Sequence, residues 1–208
     1  MINNYDINCC SCSACINICS NDAISLKMHK NGYDYPVINT SKCINCNKCS
    51  SVCQIYKNHN RVVNNQTMMV FSEEQSDHSD SSSGGFCYHF AKLFVENDGI
   101  VYSSFFDKVN RRISLGRYTK TDLSSLDLIR GSKYAKTYLG NSFKLIRQDL
   151  DSGLNVCVIA MPCEIYGLTL FLGEKYSNLT TISLLCGGSV SSNYFSVYLK
   201  ELSEKNKK

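Results

Sequence analysis

Cys9-Cys10-Ser11-Cys12-Ser13-Ala14-Cys15-Ile16-Asn17-Ile18-Cys19 and Cys43-Ile44-Asn45-Cys46-Asn47-Lys48-Cys49-Ser50-Ser51-Val52-Cys53 are the stretches on which the reading of this chain turns. In each, four cysteines follow the spacing C-x2-C-x2-C-x3-C. A single CxxC pair fits zinc or a redox disulfide equally well. Two complete runs with one internal spacing do not. Structural zinc expects pairs of ligands separated by a longer loop, usually with histidine among them. His29 and His59 lie off the period of these runs. A disulfide framework suits a small secreted chain, and no apolar leader precedes Cys9.

The spacing is that of the bacterial ferredoxin run, in which three cysteines hold one 4Fe–4S cluster and the fourth reaches across to the other. Three thiolates on one tight loop can cap three irons of a cube, while the fourth, where a short helix can start, points away. The expected ligand sets are Cys9, Cys12, Cys15 and Cys53 for one cluster, and Cys43, Cys46, Cys49 and Cys19 for the other. Cys10, inside the first run, is expected to be a spectator thiol. The run usually continues with proline, whereas Ser20 and Gln54 follow here.

The bulk numbers agree with a globular protein of one or two domains: 208 residues, 43% hydrophobic and 19% charged. Thirteen cysteines imply a reducing compartment, and a cytoplasmic location is expected. No apolar stretch is long enough to span a bilayer. The formal charge of +4 is offset by two oxidised clusters carrying about −2 apiece by valence counting. The basic excess is therefore read as compensation for the clusters, and no nucleic-acid partner is expected.

Along the chain, residues 1–62 read as an α+β, ferredoxin-like two-cluster module. In it Ala23-Ile24-Ser25-Leu26 and Tyr35-Pro36-Val37-Ile38 form a hairpin around Asn31-Gly32. So small a unit has little core, and metal binding is expected to supply much of its stability. Residues 63–84 are polar and acidic and read as a linker. Residues 85–208 alternate helix and strand, which predicts an α/β domain with a largely parallel sheet. Phe86, Phe90, Leu93 and Phe94 share one helical face ended by Asp98-Gly99. Ile100–Phe106 and Arg112–Tyr118 are strands, and Asn155–Ala160 and Leu179–Cys186 are strands buried on both faces. Helices are expected from Thr121, around Phe143–Leu154, from Pro162, and from Ser192.

Several residues of the second part are candidates for chemistry. Met161-Pro162-Cys163-Glu164 and Cys186-Gly187-Gly188-Ser189 follow the two apolar strands, and ligands in open α/β sheets gather at strand carboxyl ends. Proline at a first helical turn leaves the following amides free, a field that lowers a thiol's pKa. Cys163 and Cys186 are thus either functional thiols or small buried side chains at strand ends. Ser83-Gly84-Gly85 reads either as a phosphate cradle before a helix or as the tail of the linker. Arg130-Gly131-Ser132-Lys133-Tyr134 reads as a cationic clamp or a solvated turn. Cys87 and Cys157 are expected to be packing residues, and His29, His59, His78 and His89 form no cluster.

Ser83-Gly84-Gly85, Leu128–Tyr134, Ala160–Leu168 and Leu185–Ser189, in this order behind the cysteine runs, resemble the beta subunit family of coenzyme F-420 hydrogenases and dehydrogenases. The resemblance covers most of the chain. It implies a flavin, FAD or FMN, in the α/β domain with Ser83, Gly84, Gly85, Arg130, Gly131, Ser132 and Lys133 beside it. It also implies a further iron–sulfur site for which Cys163 and Cys186 are candidates. The chain departs from the family's pattern at Ala160 and Met161, at Glu164 where the family has glutamine, and at Gly187 where it has histidine. Members continue beyond the position of Lys208, so a truncated flavin domain is expected.

Two functional readings follow. One is a flavin-dependent iron–sulfur oxidoreductase that exchanges electrons with ferredoxin or another redox protein and acts on a small molecule the sequence does not identify. The flavin would convert between one- and two-electron steps. The other is a non-catalytic electron carrier whose α/β domain docks a partner.

Overall fold

The computed structural model describes residues 1–57, 68–70, 73, 80–173 and 175–205. The first segment folds as α1 (Ala14–Ile18), β1 (Ile24–Met28), β2 (Asp34–Ile38) and α2 (Lys48–Ser51). β1 and β2 pair antiparallel, with Ile24 opposite Ile38 and Met28 opposite Asp34. Gly32 stands in the connecting turn at φ +82, a value that suits a residue without Cβ. Both helices are too short to hold themselves together in water, so tertiary packing and the cysteine loops must fix them.

The second segment contains α3 (Phe86–Glu96), β3 (Ile100–Asp107), β4 (Arg112–Tyr118), a 3-10 stretch (Lys120–Ile129), α4 (Ser142–Asp151), β5 (Val156–Ala160), α5 (Pro162–Leu172), β6 (Leu179–Ser183) and α6 (Ser192–Lys205). The sheet order is β4-β3-β5-β6. β3, β5 and β6 run parallel and β4 is antiparallel to β3. The architecture is α+β with a mixed, mostly parallel sheet. β5 is buried along its whole length, as its run of Val, Cys, Val, Ile and Ala requires of a central strand. Gly173 ends α5 in the left-handed region, at φ +73.

Three sequence expectations are corrected. β6 is shorter than Leu179–Cys186 and none of its residues is buried. It lies at the sheet edge with β5 as its partner strand, so Thr180 and Thr181 face solvent. On α3 the buried residues are Ala91 and Val95, whereas Phe86 and Leu93 are exposed. Phe86, Phe90 and Phe94 form a stacked ladder instead, with centroids 5.9 Å apart at each step. Small residues face the sheet because the helix lies close to it, and the large rings are displaced to the flank. The helix expected from Thr121 is a 3-10 stretch. Most of the 63–84 linker, together with His59 and His78, lies outside the described residues.

The two segments share one hydrophobic core. Cys12, Ala14 and Val52 pack in the same cluster as Tyr102, Leu139, Phe143, Ile146, Val158 and Leu168. Asn17, buried in α1, joins the segments through hydrogen bonds. Its Nδ2 donates to the Ser13 carbonyl and the Gly140 carbonyl, both at 2.9 Å, and its Oδ1 accepts from the Lys144 amide at 3.2 Å. Gly167 lets α5 approach the first cysteine loop: a Cβ there would lie 2.8 Å from Cys12 Sγ, closer than packed atoms allow.

Beside this contact sits a buried ion pair. Lys136 Nζ is 2.9 Å from Glu164 Oε1, with side-chain exposures of 11% and 2%. The other Glu164 oxygen accepts from the Met161 amide at 3.2 Å and closes the first turn of α5. Burial alone would lower the Lys136 pKa, but the Glu164 carboxylate more than offsets it and holds the group above its ordinary value. Removing one partner of such a pair leaves a buried charge uncompensated, at about 3–5 kcal/mol. Lys136→Met should therefore lower the unfolding free energy by about that amount. Lys136→Met/Glu164→Gln should recover more than half, measured by urea titration of apo-protein. Equal stability of the two variants would refute the assignment.

Candidate functional site

The two cysteine loops repeat one backbone path. Ser11 and Ser13 in the first have φ of 55 and 62, and Asn45 and Asn47 at the equivalent positions have φ of 54 and 59. Left-handed residues alternating with right-handed ones turn successive amides toward a common concavity, a geometry that favours anionic centres. Each path leads into its short helix and leaves it in extended backbone at the fourth cysteine. The values are φ −74, ψ 107 at Cys19 and φ −88, ψ 121 at Cys53. That extended exit carries the fourth thiol away from its own loop.

Two cavities result. One is lined by Cys9, Cys12, Cys15 and Cys53 together with Cys10, with apolar walls from Ile2, Leu26, Pro36 and Ile55. The other is lined by Cys19, Cys43, Cys46 and Cys49, with walls from Ile24, Ile38 and Ile44. A single apolar cluster of Ile2, Ile16, Ile24 and Ile38 touches Cys15 and Cys53 of the first and Cys19 and Cys49 of the second. The Ser11 amide donates to Cys9 Sγ and the Ala23 amide to Cys19 Sγ, each at 3.4 Å. Burial pushes the Cys9 thiol up to about 11, and burial also raises Cys15 well above the ordinary thiol range.

The donor set suits a polynuclear cluster better than a single ion. Four thiolates around one zinc at ~2.3 Å would lie roughly 3.8 Å apart. Among the described residues, no three His, Cys, Asp or Glu side chains are gathered so as to chelate one ion. The cysteines line cavities instead of converging on a point, with Ser11 and Ser13 beside them in the first and Asn47 and Lys48 in the second.

The first cavity abuts a second group of polar side chains that the cysteine spacing does not reveal. Cys10, to which the sequence assigns no role, lines this cavity together with Gln54. Gln54 Nε2 donates to Cys10 Sγ at 2.9 Å and to the Cys163 carbonyl at 3.0 Å. Lys136 Nζ lies 3.7 Å from Cys163 Sγ. The hydrogen bond from Cys10 lowers the Cys163 thiol to about 7, against the opposing effect of burial and with help from the Lys136 ammonium. The neighbouring thiols and burial raise Cys10 above the ordinary thiol range. Lys136 and Gln54 belong to no sequence motif. The one hint in the sequence is Glu164, a carboxylate in a helix whose other side chains are almost all apolar and uncharged, which demands a cation.

The remaining candidates fall in two places. Ser83–Gly85 form a 3-10 turn entering α3, with Gly84 and Gly85 at φ 72 and 76. The Arg130 loop lies against this turn: Arg130 Nη1 is 3.0 Å from Ser81 Oγ, and Ser132 Oγ is 2.9 Å from Ser82 Oγ. The Arg130 guanidinium also stacks 3.4 Å over the Tyr88 ring. Gly131 turns the loop at φ +72. Lys133 folds back, its ammonium bonded to the carbonyls of Ile129, Arg130 and Gly131 at 2.7, 2.7 and 3.0 Å. Cys186 is exposed, with its Sγ 3.9 Å from Met161 Sδ, so its surroundings differ from those of Cys163. Cys157 is buried in β5 and Cys87 is half-buried on α3, both in the core cluster on that side of the sheet.

No helix among the described residues is long and apolar enough to cross a membrane. No curated protein matches the chain. Residues 8–55 match the 4Fe-4S dicluster domain family, a segment that contains both cysteine runs. A dicluster domain carries iron–sulfur clusters and indicates electron transfer.

Proposed function

We propose that the chain is an iron–sulfur flavoprotein oxidoreductase in which two 4Fe–4S clusters exchange electrons with a flavin-bound substrate site. The observation that carries the cluster part is the exchange of fourth cysteines, since Cys53 lines the cavity of the first run and Cys19 that of the second. On this reading Cys9, Cys12, Cys15 and Cys53 hold one cluster, and Cys43, Cys46, Cys49 and Cys19 the other. Each cluster supplies a one-electron redox centre when bound. Apolar walls beside the thiolates and the N–H groups that the Ser11 and Ala23 amides offer to sulfur are two factors that tune reduction potential.

The flavin part rests on the meeting of two loops that are distant in sequence. A glycine turn at the entry to α3 and the Arg130 loop lie together, combining backbone amides with a guanidinium suited to phosphate. Ser83, Gly84, Gly85, Arg130, Gly131, Ser132 and Lys133 would surround the phosphate of FAD or FMN. One observation favours the carrier reading instead. The three Lys133 donors are engaged within its own loop, which takes a cation away from that site. On either reading the partner is ferredoxin or another redox protein.

Anaerobic reconstitution followed by iron and sulfide assay should approach eight of each per chain, the content of two cubes. Stoichiometric zinc without sulfide would sink the reading. Cys19→Ser should perturb the cluster held by Cys43, Cys46 and Cys49 in its electron paramagnetic resonance signal; loss confined to the other cluster would refute the exchange.

Gly85→Val puts a branched side chain at a left-handed position where backbone must approach phosphate. Flavin content of the reconstituted protein should fall at least tenfold while iron content stays unchanged. Unaltered flavin affinity would move the cofactor elsewhere. A protein that shows cluster absorption and takes up no flavin at all would establish the carrier reading.

A further inference from the structure

The two segments enclose a cavity of about 250 Å³ between them, a size that suits a small ligand. Leu26 and Asp34 line it from the first segment, and Arg112, Tyr138 and Ser192 from the second. Arg112 opens β4, and its guanidinium stacks over the Tyr138 ring with Cζ 3.6 Å from the centroid. Its Nε is buried and has no hydrogen-bond partner among the described residues. Stacking fixes the plane of the group and leaves its N–H edge to an acceptor lying in that plane. Asp107, paired with Arg112 across the β3–β4 ladder, is engaged elsewhere. Its oxygens accept from the Val109 and Asn110 amides at 3.0 and 2.9 Å and from Asn110 Nδ2 at 2.7 Å. A buried donor without an acceptor is costly and rare in native proteins, and a guanidinium edge matches a bound oxyanion.

The carboxylate of the cavity is Asp34. Its Oδ2 accepts from Ser192 Oγ at 2.9 Å, and Oδ1 can accept from a second donor. Lys136 also lines the space, but Glu164 already meets its charge at 2.9 Å. What remains is one guanidinium and one carboxylate in a single small cavity. We propose that this cavity binds a small α-amino or α-hydroxy acid, its carboxylate on Arg112 and its amino or hydroxyl group donating to Asp34. A plain carboxylate would answer Arg112 but bring like charge to Asp34 with no donor between them. A phosphate would bring more negative charge than one guanidinium offsets with Asp34 beside it. Because the walls come from both segments, the bound acid ties the segments together, and binding to the folded state alone raises the melting temperature. Ser11 and Leu26 line this cavity and the first cysteine cavity alike, so the acid lies behind the wall of the latter. The site uses no cysteine and none of the residues assigned to the flavin phosphate.

The test titrates the full, anaerobically reconstituted chain with alanine, lactate, propionate and inorganic phosphate, followed by calorimetry and by thermal unfolding. Alanine or lactate should bind at millimolar concentration and raise the melting temperature, with propionate and phosphate about tenfold weaker or worse. Which of the two acids binds tighter decides between an amino and a hydroxyl donor. Arg112→Gln should weaken the preferred acid about tenfold or more, and Asp34→Asn should abolish its advantage over propionate. Arg112→Lys keeps the charge without the planar fork and should also weaken binding. Iron content equal to wild type in each variant shows that the first segment is intact. Failure of both acids to bind the wild-type chain overturns the proposal. Undiminished affinity in Arg112→Gln overturns the location, and phosphate or propionate binding as tightly as the acids overturns the ligand class.

Discussion

A loop of three closely spaced cysteines cannot close four corners of a cube, and the rest of the first segment is organised around that shortage. The helix after each loop is short enough that the fourth cysteine emerges, in extended backbone, within reach of the neighbouring loop. Left-handed residues at Ser11, Ser13, Asn45 and Asn47 make the loops tight. Asparagine tolerates that conformation better than serine because its side chain bonds locally. The hairpin of β1 and β2 then supplies the apolar residues that seal the two cavities. On the proposed ligand sets, reciprocity follows: each half takes its fourth thiol from the other, so the halves would fold together.

That unit is not freestanding. It adds Cys12, Ala14 and Val52 to a core otherwise made by α4, α5 and the sheet. The contact is close because Gly167 has no side chain, and it is fixed by the satisfied amide of Asn17. A buried Lys136–Glu164 pair is an expensive way to hold two elements together when apolar packing would serve. Its presence next to two thiols fits the general pattern in which buried charge gathers at functional positions. The sequence alone suggests a module, a linker and a second domain; the packing joins the first and last of these into one body.

Much of this was legible in the chain because its signals are local. Asn155–Ala160 is uniformly apolar and is the central strand. Asn31-Gly32 marks the hairpin, Pro162 opens α5 and Gly173 closes it. The errors came where the answer depends on what lies alongside. Leu179–Cys186 looks as buried as β5, but strand order puts it at the edge, and no local pattern encodes strand order. The aromatic residues of α3 promise a core face, yet Ala91 and Val95 take it because the helix sits close to the sheet. At the site, cysteine spacing singled out eight thiols and passed over Cys10. What singles out Cys10 is the Gln54 amide, which bonds its sulfur and the carbonyl of Cys163, far along the chain and on another element. Gln54 and Lys136 escaped for the same reason, since neither residue type nor spacing distinguishes them from surface side chains.

The two cysteine loops repeat in sequence but not in environment. The first is wrapped in protein: Ser11, Cys12, Ser13 and Ala14 are all buried, the last at 1% exposure. The second lies outside, with Cys46 exposed and Ile44 at 64%. Two redox centres of the same composition would therefore sit in different dielectric surroundings, one wet and one dry. A dry site disfavours the more highly charged state of an anionic centre. The internal repeat thus gives the chain two unlike ends: on the iron–sulfur reading, one centre lies against the core beside Ala14 and the other beside the exposed Cys46.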